Sequence, residues 1–292
     1  MLAAQGGLQV AERDSEKFDI ARVISRSFEV IGGNPGLYLG LAALLAGVPN
    51  FAINFWLTGS TTGLDGSFND ATVVFQRSGL TLLVTLIAAG LLQAAVTRGT
   101  VATLAGERIG FGACLRAALR LAVPVCGIVL LTWLALLLTG LTVLIPGYFV
   151  LVNTALPYEG GILFAVTAAL VTLAPICFVY VLLSAAVPAY VAERQGLFES
   201  FGRSIELTSG MRWKMFLLVL IGTIAMLVLA IPAGLMNRLM SASEGPVLPV
   251  LTGAVTTAAS GMFSAVLLAS AYVELREVKD GVAPGDLESI FA

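Results

Sequence analysis

Six long runs of uncharged, apolar residues constrain this chain of 292 residues more than any other feature. A helical run of about 20 such residues crosses the roughly 30 Å of hydrocarbon in a bilayer. The runs predict membrane spans over residues 36–57, 78–97, 121–145, 161–192, 215–237 and 247–273. Charged residues make up 12% of the chain, about half their usual share in a soluble domain. We therefore predict an all-α, polytopic membrane protein, with residues 1–292 forming a single integral membrane domain.

The basic residues predict the orientation of these spans. Of 16 lysines and arginines, 14 lie in the segments on the same side as the termini and 2 lie on the other side. The positive-inside rule then places both termini in the cytoplasm of a multi-pass protein of the bacterial inner membrane. The first 17 residues contain no apolar core of signal-peptide length, which agrees with a cytoplasmic start. The net charge of −2 gives no field that would attract nucleic acid.

Prolines set the expected helix boundaries in the middle of the chain. Residues 121–158 carry no charge, and we divide them at Ile145–Tyr148, because a proline followed by glycine is typical of a helix end. A re-entrant turn over residues 145–160 is an alternative at this point. The fourth span is long for one helix, and Pro175 and Pro188 are expected to kink it.

A threefold internal repeat is the second organising feature. RSFEVIGG from Arg26 matches RSIELTSG from Arg203 at an offset of 177 residues, and LRAALRLA before the third span is a weaker copy half-way between them. The segments after the even spans also resemble one another, since each places an acidic residue, a base and a glycine after an apolar run. We predict three units over about residues 16–106, 107–195 and 196–276, followed by a cytoplasmic tail over residues 277–292.

Each unit is expected to begin with an amphipathic helix that lies in the membrane interface. Charged side chains follow one face of the first such helix and Ile20, Ile24, Phe28 and Ile31 follow the other. One interpretation is contact with membrane lipids or a membrane protein partner, and the other is a structural cuff that orients each hairpin. The candidate contact residues are Arg26, Ser27, Glu29, Arg116, Arg120, Arg203, Ser204, Glu206 and Trp213.

Few polar residues lie within the predicted spans. Asn50, Asn54, Gln93 and Asn153 are candidates for a polar pathway, with hydrogen bonding between helices as the alternative. Asn50 and Gln93 differ in depth by about 15 Å at 1.5 Å per helical residue, which argues against one shared site. All 34 charged residues fall outside the apolar cores, so a proton-driven or ion-driven pump is disfavoured.

The sequence lacks the usual signs of catalysis. It has no histidine and no hydrolase, zinc or phosphate-loop motif, so we predict no catalytic residue, no metal and no cofactor. The one exception considered is lipid hydrolysis at the interface, with Ser27 or Ser204 as a nucleophile that has no evident base.

Three stretches carry a resemblance to a known family. They are FDIARVISRSFEVIGGNPGLYLGLAAL near the start, VPAYVAERQGLFESFGRSIELTSGMRWKMFLL from Val187 to Leu218, and AYVELREVKDGVAPGDLESIF at the end. The chain resembles a group of bacterial six-helix inner-membrane proteins related to the membrane domain of glycerophosphodiester phosphodiesterases. These 292 residues include no soluble phosphodiesterase domain, so the hydrolytic activity of the namesake enzymes is not expected here. The group itself implies neither a substrate nor a catalytic residue.

Two functions remain open at this point. The first is a non-catalytic inner-membrane protein that contacts lipids or membrane partners in envelope organisation or as an accessory subunit. The alternative is a transporter or lipid-translocating protein, with Pro49, Pro124, Pro175 and Pro232 as hinges. A continuous cavity between the hairpins that Asn50 or Gln93 lines and that reaches one side of the membrane would favour transport, whereas a dry, fully packed centre would not.

Overall fold

The computed structural model describes residues 18–59, 71–153, 158–241 and 247–281. These residues form helices and short connections, without a strand among them, so the all-α prediction is confirmed. The helices are α1 Ile20–Gly33, α2 Pro35–Ala42, α3 Val48–Gly59, α4 Ala71–Leu104, α5 Phe111–Arg120, α6 Ala122–Asn153, α7 Tyr158–Leu183, α8 Ala186–Glu193, α9 Leu197–Thr208, α10 Arg212–Ser241 and α11 Val247–Asp280.

Within the described residues, six helical segments are long and apolar enough to cross a membrane, which confirms the predicted number. We call them spans 1 to 6. Their bounds are Pro35–Leu57, Ser78–Leu104, Ala122–Gly147, Thr167–Glu193, Arg212–Leu235 and Val247–Asp280. The chain is therefore an integral membrane protein by the length and composition of its helices.

The first span contains a π-helical turn, Ala43–Gly47, between α2 and α3. Pro49 lies two residues beyond this turn, and a proline inside a helix both lacks an N–H and presses on the carbonyl four residues before it. The wider π turn accommodates that irregularity. Gly47 packs closely on α11, because a Cβ atom at Gly47 would lie 3.4 Å from the Cβ of Ala258.

The predicted helix end at Ile145–Tyr148 is wrong. Helix α6 continues to Asn153 with Pro146 inside it, so residues 145–153 form no re-entrant turn. Residues 154–157, where the rest of that prediction falls, lie outside the described residues. In apolar surroundings no water can satisfy a broken backbone, so a helix that continues past one proline is favoured over an early end.

The fourth span is broken four residues before Pro188, one of the two prolines that were expected to kink it. Pro175 lies inside α7, Pro188 lies in the first turn of α8, and the helix is interrupted at Ser184 and Ala185 between them. A proline in a first helical turn is tolerated, because its missing N–H would have no partner within the helix. In a continuous helix Pro188 would press on the carbonyl of Ser184, so the interruption removes that clash, and contacts described below satisfy the backbone groups at the break.

The even spans form the interior of the bundle. Helices α4, α8 and α11 contact one another, and α7 extends the fourth span away from this contact. Each odd span packs against two even spans: span 1 against α4 and α11, α6 against α4 and the fourth span, and α10 against α7 and α11.

The short helices lie at one end of the bundle. Helix α5 packs on α4, α9 packs on α8, and α1 packs on α11, so each short helix covers the end of an even span. The even spans end at residues with left-handed backbone, namely Gly106, Arg194 and Gly281. This end carries most of the charged residues of the described chain, and we call it the charged end.

Candidate functional site

The first site at the charged end is built around Glu274, whose side chain is fully buried near the end of α11. Arg22 and Arg26 of α1 reach it, with Nη1 to carboxylate distances of 2.9 and 2.8 Å. Arg26 also lies 2.9 Å from Glu277, and the backbone N–H of Asp19 donates to Glu274. A buried carboxylate needs such partners, and here they tie the start of the described chain to its last helix.

A second ionic cluster surrounds Glu193 at the end of α8. The Arg203 Nε atom of α9 lies 3.1 Å from both carboxylate oxygens of Glu193, and the Tyr272 hydroxyl of α11 donates to Glu193 over 2.8 Å. Arg203 also pairs with Glu206 and with Asp280. Burial lowers the pKa of the Arg203 guanidinium, but Asp280 and Glu193 outweigh that effect and hold this pKa above its ordinary value.

The two matching serines of the repeat, Ser27 and Ser204, form different hydrogen bonds. The Ser27 hydroxyl donates to the carbonyl of Val23 within its own helix. The Ser204 hydroxyl donates to the carbonyl of Leu182 over 2.6 Å and accepts the N–H of Ala185 over 3.2 Å. Ser204 therefore satisfies backbone groups on both sides of the break in the fourth span, which explains how the helix can end inside the bundle.

The weaker copy of the repeat lacks the ionic pairing. Arg116 and Arg120 on α5 are exposed, and neither forms an ion pair within the described part of the chain. Helix α5 is held instead by buried Cys114 and Ala118, which pack on α4. Of the other predicted contact residues, Glu29 is exposed, and Trp213 is 71% exposed in the first turn of α10.

A half-open cavity of about 320 Å³ lies between the even spans and α6, and two of its lining residues, Trp133 and Ser264, are exposed at the surface. Gln93 of α4 lines it together with Tyr180 of α7 and Ser184 at the helix break. The further polar lining residues are Thr132, Thr257, Ser260 and Ser264. Four of these hydroxyls each donate a hydrogen bond to a backbone carbonyl three or four residues earlier in the chain, and they belong to Thr132, Ser184, Ser260 and Ser264. Each hydroxyl oxygen can still accept a hydrogen bond from a solute.

Asn50 and Asn54 of the predicted pathway do not line this cavity. The Asn54 side chain donates to the backbone carbonyl of Asn50 over 2.8 Å and lies 3.3 Å from its side-chain oxygen. Both asparagines lie on α3, on an odd span. Asn153 is the last residue of α6, and its side chain lies outside the described part of the structure. Of the three predicted pathway residues whose side chains the structure describes, only Gln93 meets the cavity.

A scan against models of known protein families finds no match, and searches of the curated proteins and of the solved structures find none. The site must therefore be interpreted from its own geometry.

The sequence predicted the arginines of the ionic clusters but not their partners. Glu193 and Glu274 lie in the similar segments after the even spans, so their position was visible as part of a repeat. The pairing joins α1 to α11 and α9 to α8, and no local pattern specifies which helix end an interfacial helix will cover. Among the described residues, no group of histidine, cysteine and carboxylate side chains is suited to hold a metal ion.

Proposed function

We propose that this chain is a non-catalytic membrane protein that binds a small, uncharged polar solute between its even spans and lets it cross the bilayer. The observation that carries the proposal is the half-open cavity between the even spans and α6, which Gln93 and several hydroxyls line. Its volume of about 320 Å³ lies at the lower end of the range for small-molecule sites. That volume holds about ten water-sized groups, the size of a short polyol or a small amide.

The chemistry of the lining favours neutral solutes. No charged side chain borders the cavity among the described residues, so an ion would lose its hydration without gaining a counter-charge. The Gln93 amide both donates and accepts, and the hydroxyl oxygens accept. Hydroxyl and amide groups on a solute complement this set. We therefore propose facilitated passage rather than coupling to protons or ions.

The ionic clusters are proposed to close the pathway at the charged end. Glu274 and Glu193 lie at the ends of even spans that border the cavity, and α1 and α9 hold those ends together. By the positive-inside rule we propose that this end faces the cytoplasm of a bacterial inner membrane. Passage then requires these helix ends to separate, while the cavity itself lies deeper in the bilayer.

We further propose that the bundle is a threefold repeat of an interfacial helix and a two-helix hairpin. Each interfacial helix packs on the end of an even span, and α1 closes the series by packing on α11. The left-handed residues that end the three even spans support the same arrangement. The resemblance to membrane domains related to glycerophosphodiester phosphodiesterases stays a prediction and supplies no activity.

Catalysis is not part of the proposal. Ser27 and Ser204 are buried, and each hydroxyl donates to a backbone carbonyl. Neither has a basic side chain as a hydrogen-bond partner among the described residues, as a nucleophilic serine would need.

Solute flux into proteoliposomes tests the proposal. Vesicles with the purified chain are mixed with hyperosmotic glycerol, erythritol or urea, and light scattering follows their reswelling. We expect at least one solute to enter faster than into protein-free vesicles, and Gln93→Leu to remove the difference. Asn54→Leu is the matched control, because Asn54 is a polar residue within a span that does not line the cavity. Equal rates with and without protein, or full activity of Gln93→Leu, would contradict the proposal.

Contact with membrane lipids or a membrane protein partner is a second candidate function. The observation in its favour is the pair of exposed arginines on α5, beside Leu119, which is 58% exposed. Arg26 and Arg203 form ion pairs within the chain. The two arginines of α5 are therefore more available to an outside ligand. Native mass spectrometry from membrane patches should detect a retained lipid or polypeptide. The double variant Arg116→Gln, Arg120→Gln should lose it, whereas Arg108→Gln should not.

A further inference from the structure

An apolar groove lies on the surface of the bundle, between α7 and α10. Its volume is about 540 Å³, and its walls come from six residues of α7 between Leu170 and Val181 and from Arg212, Trp213 and Phe216 of α10. The stretch from Leu170 to Val181 is helical and rises about 16 Å at 1.5 Å per residue. That length is about half of the hydrocarbon core, which is the depth that one acyl chain occupies in one leaflet.

A single positive charge borders the groove, at the first residue of α10. The Arg212 guanidinium carbon lies 5.7 Å from the ring centroid of Phe178, which places the cation over an aromatic face. The side chain is exposed and forms no ion pair with a carboxylate in the described part of the chain. The unpaired N–H groups in the first turn of α10 add positive potential at the same place.

Trp213 separates this groove from a second, polar depression. The indole ring stacks on Phe216 at 5.3 Å and is 71% exposed, as is typical of a tryptophan at a membrane interface. On its other side lies a depression of about 780 Å³ that Asp19, Arg22 and Lys214 border. Lys214 donates to the carbonyl of Phe18, and Arg22 pairs with Glu274, so Arg212 is the cation left for an outside group.

We propose that the groove between α7 and α10 is a binding site for an anionic phospholipid. One acyl chain lies along α7, the phosphate meets Arg212, and the glycerol region lies against Trp213. Charge complementarity selects the anionic class, because one interfacial cation contributes about 1 kcal/mol toward such lipids. The site is separate from the cavity between the even spans, so this proposal and solute passage can fail independently.

Quenching of Trp213 fluorescence in nanodiscs tests the proposal. Trp56 and Trp133 are replaced with phenylalanine, so that Trp213 is the only tryptophan of the three in the chain. Phosphatidylglycerol or phosphatidylcholine with brominated acyl chains is then titrated into the discs. We expect phosphatidylglycerol to quench at about fivefold lower mole fraction, the factor that corresponds to one interfacial cation. Arg212→Gln should remove this preference, whereas Arg108→Gln, an exposed arginine between α4 and α5, should keep it.

Three results would overturn the proposal. Equal quenching by both lipids would show that Arg212 selects no anionic headgroup. Equal loss of preference in Arg108→Gln and Arg212→Gln would assign it to the general surface charge. Protection of Trp213 from both lipids would show that another polypeptide or a second copy covers the groove. As a second variant, Ala174→Phe fills the groove within α7 and should weaken quenching by phosphatidylglycerol even with Arg212 present.

Discussion

The half of the bundle near the charged end and the opposite half are built differently. At the charged end, every residue of α11 from Ala265 to Arg276 is buried. In the opposite half, residues 247–253 of the same helix are exposed or half-buried. Helix α4 changes in the same way, with burial concentrated over residues 94–101 and none over residues 78–85. The even spans are therefore tightly packed at one end only, and the cavity lies where that packing stops.

Small side chains and polar contacts together account for the difference. Helices gain little from burying apolar surface in lipid, so their association depends on close packing and on polar contacts. On α4 the charged half packs through small residues such as Ala94 and Ala95, whereas the opposite half carries exposed leucines such as Leu82. On α11 both halves contain small residues, and the charged half adds the hydrogen bond of Tyr272 and the ion pairs of Glu274. Closure at the charged end thus follows from alanine packing on α4 and from polar contacts on α11.

The largest expected effect compares two leucines on one helix. Leu218 of α10 is fully buried near the charged end, whereas Leu227 is 56% exposed in the opposite half. Leu218→Ala leaves a cavity among Met215, Leu267 and their neighbours, and we expect it to lower the free energy of unfolding by about 3 kcal/mol. Leu227→Ala should lower it by less than about 0.5 kcal/mol, as for other substitutions outside the core. Thermal unfolding in one detergent measures both, and equal losses would contradict the contrast between the halves.

The next effect concerns the buried carboxylate of α11. Glu274→Gln keeps the shape but leaves Arg22 without its counter-charge and Arg26 with Glu277 alone. We expect a loss of about 2 kcal/mol, below the usual range for a broken buried pair because both arginines are partly exposed to solvent. Glu29→Gln is the control, since Glu29 is an exposed acid on α1, the helix that carries Arg22 and Arg26. If the two variants unfold at the same temperature, the ionic cluster does not hold the charged end together.

A smaller effect should separate the two matching serines. Ser204→Ala leaves the carbonyl of Leu182 and the N–H of Ala185 without a partner at a buried helix break. We expect it to lower the free energy of unfolding by about 1 to 2 kcal/mol. Ser27→Ala removes only a bond within α1 and should have less than half of that effect. Hydrogen exchange over residues 182–187 should rise in Ser204→Ala alone, and no rise would contradict the capping role.

The helices were predictable from the sequence because span length and hydrophobicity are local properties. The spans near residues 36–57 and 215–237 lie within a few residues of the observed segments Pro35–Leu57 and Arg212–Leu235. The helix end predicted at Pro146 was wrong, because a proline predicts a helix end in water more reliably than in lipid. The break at Ser184 lies four residues before Pro188, where that proline predicts a disturbance, whereas its partner Ser204, 20 residues further along the chain, was not predictable.

Individual residues of the candidate site were predictable from the sequence, but the contacts between them were not. Gln93 was visible as a polar residue inside a span, but the hydroxyls that share its cavity look like ordinary small residues of helices. Arg26 and Arg203 stood out through the repeat, whereas their pairing with Glu274 and Glu193 depends on which helix ends meet. Contacts between helices far apart in sequence decide such pairings, and periodicity within one helix carries no information on them.

The smallest expected effect compares two glycines of α11, one on each side of the boundary between the halves. A Cβ atom at Gly261 would lie 3.1 Å from the Cδ2 atom of Leu92, whereas a Cβ atom at Gly253 would meet nothing within 4 Å. Leu92 is almost fully buried and must shift to make room, so we expect Gly261→Ala to lower the free energy of unfolding by about 0.5 to 1 kcal/mol. Gly253→Ala should be neutral or slightly stabilising, because alanine is the better helix former. Thermal unfolding of the two variants side by side measures the difference. If Gly261→Ala is as stable as Gly253→Ala, α4 and α11 are not in close contact at Gly261. The tightly packed half would then be shorter than it is in the structure.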